Sequence, residues 1–233
     1  MVYSFRVSCR NATYDFSLTK LFVNQESVSD ILLALEGILK TNNVSVLIQA
    51  ADVSLKLVSC IGNSVRQYPI LEMVSSLSFQ LSSDHLRIAI PCASALTCIL
   101  NSLVTARASA QAEIWEALEK TNAAASVISA LQNYAPDVHP LNYLTEIISL
   151  LRSFLWIWPS SRYHVWSNCN LMAKLAQYCL SAETTVAVKI LKLYAALGTS
   201  VVILLFDFCV RIHKDISSSS SSVYLCIPEI LLL

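Results

Sequence analysis

The sequence predicts an all-α protein built from a short series of stacked helical units, and three observations carry that prediction. Charged residues make up 14% of the 233-residue chain and apolar residues 55%, so there is ample surface to bury and too little charge for disorder. Glycine occurs only three times, at Gly37, Gly62 and Gly198. That argues against a turn-dense β fold and against a glycine-rich nucleotide loop. Apolar residues then recur at steps of three and four, the period of one helix face.

Residues 1–26 alternate Tyr3, Phe5, Val7 and Cys9 with Ser4, Arg6, Ser8 and Arg10, a period-two pattern. A lone strand has nowhere to pair in a helical array, so this stretch is read as an irregular flank. The repeating part spans residues 27–197. In "SVSDILLALEGILKTNNVSVLIQAADVSLKLVSCIGN" a first helix is expected to be capped by Ser27, with Asp30 in its first turn to complement the helix dipole. An Asn42-Asn43 turn leads to a second helix carrying Ala50, Ala51, Leu55 and Val58, which stops near Gly62.

The next unit opens with Ile70, Val74, Leu77 and Leu81 on one face and continues into "HLRIAIPCASALTCILNSLV". This second stretch is apolar nearly all round, with only a thin polar stripe through Arg87, Ser94 and Asn101. Such a helix lies in lipid or between other helices. Pro91 sits mid-run, so two helices are expected, one from about Asp84 to Ile90 and another opening at Pro91. A third unit runs through Val127 and Leu131, a longer turn, a helix started by Pro140 and a stop at Pro159. A fourth places Leu171, Leu175 and Cys179 before a Ser181–Thr185 turn and Val186, Ile190, Leu193 and Leu197 after it. Residues 198–233 break the pattern: "VVILLFDFCV", the Ser217–Ser222 run and "VYLCIPEILLL" are expected to form an atypical, partly disordered tail.

"AEIWEALEKTNAAASVISALQ" resembles the last helix of an armadillo (ARM) repeat, with Asn122 to Ala124 standing where such repeats have a glycine. "SAETTVAVKILKLYAAL" is similar to the first and second ARM helices. The resemblance implies a right-handed α-α superhelix of about four degenerate repeats, with HEAT repeats as the near alternative. No unit of this kind buries its apolar surface alone, so neighbours share one core.

None of the P-loop, GxGxxG, HExxH or GxSxG signatures occurs in the sequence. His85, His139, His164 and His213 are dispersed, with no metal-ligand spacing. His164 and Cys169 lie five apart near Trp166, and are read as a turn histidine beside a buried thiol. Glu113, Glu116 and Glu119 are read as a solvated helix face, and Phe154, Trp156, Trp158, Tyr163 and Trp166 as a plug between the third and fourth units. Trp166-x-x-x-Asn170 resembles one tryptophan–asparagine pair of importin α. It occurs once and at a helix start, so that peptide-binding mode is not carried over. The eight cysteines show no CxxC pair, and reduced, buried thiols in a cytoplasmic or nuclear protein are expected.

The functional expectation is a non-enzymatic protein–protein interaction scaffold, with no cofactor, metal or nucleic acid. In ARM-type proteins the last helices of successive units line a concave groove. Glu72, Ser76, Ser129, Gln132, Asn133, Lys174 and Gln177 are the groove positions expected here. Their scarcity of charge implies binding through amide hydrogen bonds and apolar contact, with weak salt dependence. The alternative is a membrane-associated helical protein using residues 86–106 and 197–210. A third reading is an enzyme subunit whose catalytic module lies outside this chain.

Overall fold

The computed structural model describes residues 4–9, 12–17, 25–104, 106–181 and 183–198. The expected tail beyond Gly198, including most of the apolar segment 197–210, lies outside them.

The N-terminal flank differs from the irregular segment expected. β1 (Ser4–Cys9) and β2 (Ala12–Ser17) pair antiparallel, with Phe5 opposite Phe16 and Val7 opposite Tyr14. The period-two signal had a partner after all, immediately downstream.

The helical array begins with α1 (Gln25–Leu39) and α2 (Val44–Ile61). Ser27 therefore lies within the first turn of α1 and does not cap it. Asn43 caps α2, its side-chain oxygen accepting from the Ser45 and Val46 amides at 3.1 and 3.3 Å. Gly62 ends α2 at φ 48°, and its amide donates to the Val58 carbonyl. A side chain would strain that backbone. A 3₁₀ turn over Gly62–Gln67 leads to α3 (Leu71–Phe79), extended by a second 3₁₀ turn over Gln80–Ser82, and then to α4 (Leu86–Leu103). Next come α5 (Ala108–Lys120), α6 (Ala123–Gln132) and α7 (Leu141–Ile157). After a 3₁₀ turn over Pro159–Ser161, the short α8 (Arg162–Trp166), α9 (Cys169–Ser181) and α10 (Thr184–Leu197) complete the array.

Helix α4 corrects the expectation of a break at Pro91, because it runs through the proline. An interior proline costs about 3 kcal/mol. Against it stand Ile88 and Ala89 on one side and Cys92, Ala93, Leu96, Ile99 and Leu100 on the other, all fully buried. Burying each large aliphatic side chain contributes about 1.5–3 kcal/mol, so continuity of the packed face wins. The carbonyl deprived of its helical donor belongs to Arg87, an exposed residue.

The helices form two layers. In one, α2 packs on α4, α4 on α7 and α7 on α10. In the other, α1 packs on α3, α6 on the 3₁₀ extension of α3, and α9 on α6. Within each unit the two layers meet as α1–α2, α3–α4, α6–α7 and α9–α10. One contiguous apolar core runs from Val28 to Leu197. The helices form an ARM-type solenoid, and the stacking answers why α4 is apolar nearly all round: like neighbours cover it on both sides.

The aromatic plug is only partly as expected. Phe154 and Trp158 are buried, with Trp115 tilted against Trp158 at 4.6 Å between ring centroids. Trp156, Tyr163 and Trp166 are exposed.

Candidate partner-binding face

Each helix of the α2–α4–α7–α10 layer leaves one stripe open. On α2 it includes Gln49, Asp52, Lys56 and Ser59; on α4, Arg87, Ser94, Cys98 and Asn101. On α7 it includes Asn142, Glu146, Ser149, Arg152 and Trp156, and on α10, Lys189 and Lys192.

Polar contacts run across this face from helix to helix. Ser59 Oγ lies 3.9 Å from Cys98 Sγ, linking α2 to α4. Ser94 Oγ donates to Glu146 Oε2 at 2.7 Å, and Ser153 Oγ donates to Asn101 Oδ1 at 3.0 Å. Both pairs are 52 residues apart in sequence, so α4 and α7 run in the same direction and in step, as equivalent helices of successive repeats must. Lys189 Nζ donates to the Thr145 carbonyl at 3.2 Å and stands 3.8 Å from Glu146 Oε1, adding α10. The rungs hold the stripe residues in place yet leave hydrogen-bonding capacity. Asn101 accepts through its oxygen and keeps its amide N–H groups for another acceptor.

The groove positions expected from sequence lie elsewhere. Glu72 and Ser76 are on α3, Ser129 and Gln132 on α6 with Asn133 directly after it, and Lys174 and Gln177 on α9. All belong to the other layer, the first helix of each packed pair rather than the second. Ser76 is 4% exposed and faces the core. Gln132 Nε2 donates to Asn168 Oδ1 at 3.1 Å, and that same oxygen accepts from the Leu171 amide at the start of α9. Gln132 thus ties α6 to α9. Asn133 Nδ2 donates to Ser129 Oγ at 3.1 Å, Glu72 lies 3.8 Å from Lys40 Nζ, and Lys174 sits over the Tyr178 ring. The signal for the other face was already in the sequence, in the thin polar stripe Arg87, Ser94, Asn101 on an otherwise apolar helix.

Cys169 is exposed with Sγ 3.8 Å from the Ser167 carbonyl, while His164 stands edge-on to Tyr163. Trp166 ends α8 and Asn170 lies in α9, so that spacing straddles two helices. Glu116 pairs with Lys120 at 2.7 Å on the solvated face of α5, and this bond holds its carboxyl below the usual range. Among the described residues no group of three or more His, Cys, Asp or Glu could hold a metal ion.

The plant ARM repeat family matches residues 83–199, half of the chain. The chain belongs to that family. A BTB/POZ domain-containing protein of Arabidopsis thaliana is 34% identical over 174 residues, covering 75% of this chain and 17% of the relative. The chain therefore spans less than a fifth of the length of the curated relative it matches. ARM repeats are typically scaffolds without catalytic activity, and the family and the relative together suggest a protein-interaction scaffold.

By length and composition, α4 and the run Val44–Val65 could each cross a membrane. In this structure 61% of α4 is buried between α2, α7 and the outer layer. Its apolar surface is taken up by protein contacts.

Proposed function

We propose that the protein is a non-enzymatic scaffold that receives an extended segment of a protein partner along the open face of α2, α4, α7 and α10. The observation that carries this reading is the row of polar contacts across four successive helices: hydrogen bonds Ser59–Cys98, Ser153–Asn101, Ser94–Glu146 and Lys189–Thr145, with the Lys189–Glu146 ion pair beside the last. Polar side chains fixed at regular intervals along a stack suit a peptide backbone, which presents a donor and an acceptor at every residue. In ARM-type proteins the last helices of successive units line the groove, and α2, α4, α7 and α10 are the second helices of the packed pairs here. A cytoplasmic or nuclear setting belongs to the same proposal.

The test is selection of ligands from a random peptide library on the purified chain, followed by substitution on each layer. Asn101→Ala combined with Asn142→Ala should weaken the selected peptides severalfold. Ser129→Ala combined with Gln177→Ala, on the other layer, should leave binding unchanged. The reverse pattern would place the partner on the α3–α6–α9 layer and end this reading.

A further inference from the structure

The chain carries no net charge, yet its charges are sorted between the two layers. On the α1–α3–α6–α9 layer, α1 carries Glu26, Asp30 and Glu36 and α3 carries Glu72, against Lys174 on α9 and Lys40 just past α1, which pairs with Glu36 and lies 3.8 Å from Glu72. On the open face, Arg87, Arg152, Lys189 and Lys192 stand against one carboxylate, Glu146, once the Asp52–Lys56 pair on α2 is set aside. Glu146 is already engaged, by Ser94 at 2.7 Å and Lys189 at 3.8 Å. Arg152 and Lys192 have no carboxylate partner among the described residues.

These cations are placed together by the register of the stack. Lys189 lies beside Glu146; continuing along both helices sets Lys192 level with Ser149, and Arg152 follows about 4.5 Å beyond, at 1.5 Å per residue. Stacked helix axes are about 8–10 Å apart, a distance that two or three residues of extended chain cover at roughly 3.3 Å each. Trp156, 60% exposed, continues the same stripe one turn past Arg152.

We infer that the α7–α10 half of this face takes an acidic extended peptide segment, with Asp or Glu at every second or third residue. This rests on the proposed scaffold reading and names the chemistry of its partner. It also replaces the weak salt dependence expected from sequence, which was read from the sparsely charged α3, α6 and α9. Unpaired cations on the open face attract an acidic ligand at long range and lose that attraction as salt screens them.

The probe is a fluorescent alternating Glu-Ser peptide of about twelve residues, long enough to cross the last two helices when extended, with a Lys-Ser counterpart and a single-stranded RNA of equal charge. Anisotropy on the 233-residue chain should show the acidic peptide bound about tenfold or more tighter than the basic one, and weaker as salt rises. Arg152→Gln with Lys192→Gln should lower affinity for the acidic peptide about tenfold, whereas Lys120→Gln with Lys174→Gln should not. Lys192→Gln alone, at an exposed site, should weaken binding without disturbing the fold, as checked by circular dichroism. Equal binding of both peptides, no binding of the acidic peptide at low salt, an unaffected double variant, or RNA bound more tightly than peptide would each overturn the inference. Library-selected peptides that still depend on Asn101 but lack acidic residues would overturn it while leaving the scaffold reading intact.

Discussion

Asn122 shows how one residue can stand in for the glycine that the ARM resemblance leads one to expect at this point of the chain. It links α5 to α6 at φ 52° and ψ 32°, the left-handed region, which asparagine tolerates better than other side chains. The sequence pointed to the missing glycine here, and the geometry explains why its absence is harmless. Asn122→Gly should therefore hold or slightly raise the melting temperature, while Asn122→Val should cost about 1–2 kcal/mol in denaturant unfolding. A second residue-scale prediction concerns thiols. Burial pushes Cys92 from the ordinary 9.0 up to about 12. It should stay unmodified at neutral pH while the exposed Cys169 reacts with a thiol reagent. The sign for stability follows from proton counting. Between about pH 9 and 12 the unfolded chain has lost the Cys92 proton and the folded chain retains it, so stability is intact below pH 9 and falls as pH rises. Tyr143 and Tyr178, also pushed up by burial, add to the slope higher in that window. Cys92→Ala should flatten the alkaline fall in urea midpoint relative to the wild type, whatever its cost near neutrality.

At the scale of the element, most helices were legible because periodicity and caps agree with the packing. Asn43 and Gly62 bracket α2 as their chemistry requires, and Val186, Ile190, Leu193 and Leu197 form the buried face of α10. Two elements were not legible, for a shared reason: local preference lost to a partner that sequence spacing does not reveal. β1 finds β2, and α4 runs through Pro91 because α2 and α7 hold both flanks of the proline in register. If tertiary packing alone sustains that helix, removing the proline should release most of its penalty. Pro91→Ala is expected to stabilise the chain by up to about 3 kcal/mol, read as a higher denaturant midpoint with an unchanged slope. A loss of stability would mean that the ring itself fills space a methyl group leaves empty.

For the whole molecule, the stack was readable but its phase was not. Amphipathic helices of similar length look alike in sequence, and what distinguishes the open-face layer is which helix meets its equivalent in the next unit. Only the contacts α2–α4, α4–α7 and α7–α10 supply that, and they put Asn101 and Arg152 in a different layer from Ser129 and Gln177. The same nearest-neighbour architecture predicts how stability is distributed. In a stack each unit is held by its own core and by the interfaces on either side, and local opening is governed by how many such contacts must break. Helices α4 and α7 have a like neighbour on both sides, while α2 and α10 have one each among the described helices. Native-state hydrogen exchange should therefore find the amides of Leu96, Ile99, Ile148 and Leu151 the slowest in the chain. Protection should decline outward through α2 and α10, even though Ile190 is as deeply buried and Leu57 nearly so. Burial alone predicts equal protection at all of these positions; stacking predicts a gradient from the middle. Uniform exchange would mean that the helices unfold as one closed bundle, and the ladder of equivalent positions proposed as the binding face would lose its structural basis.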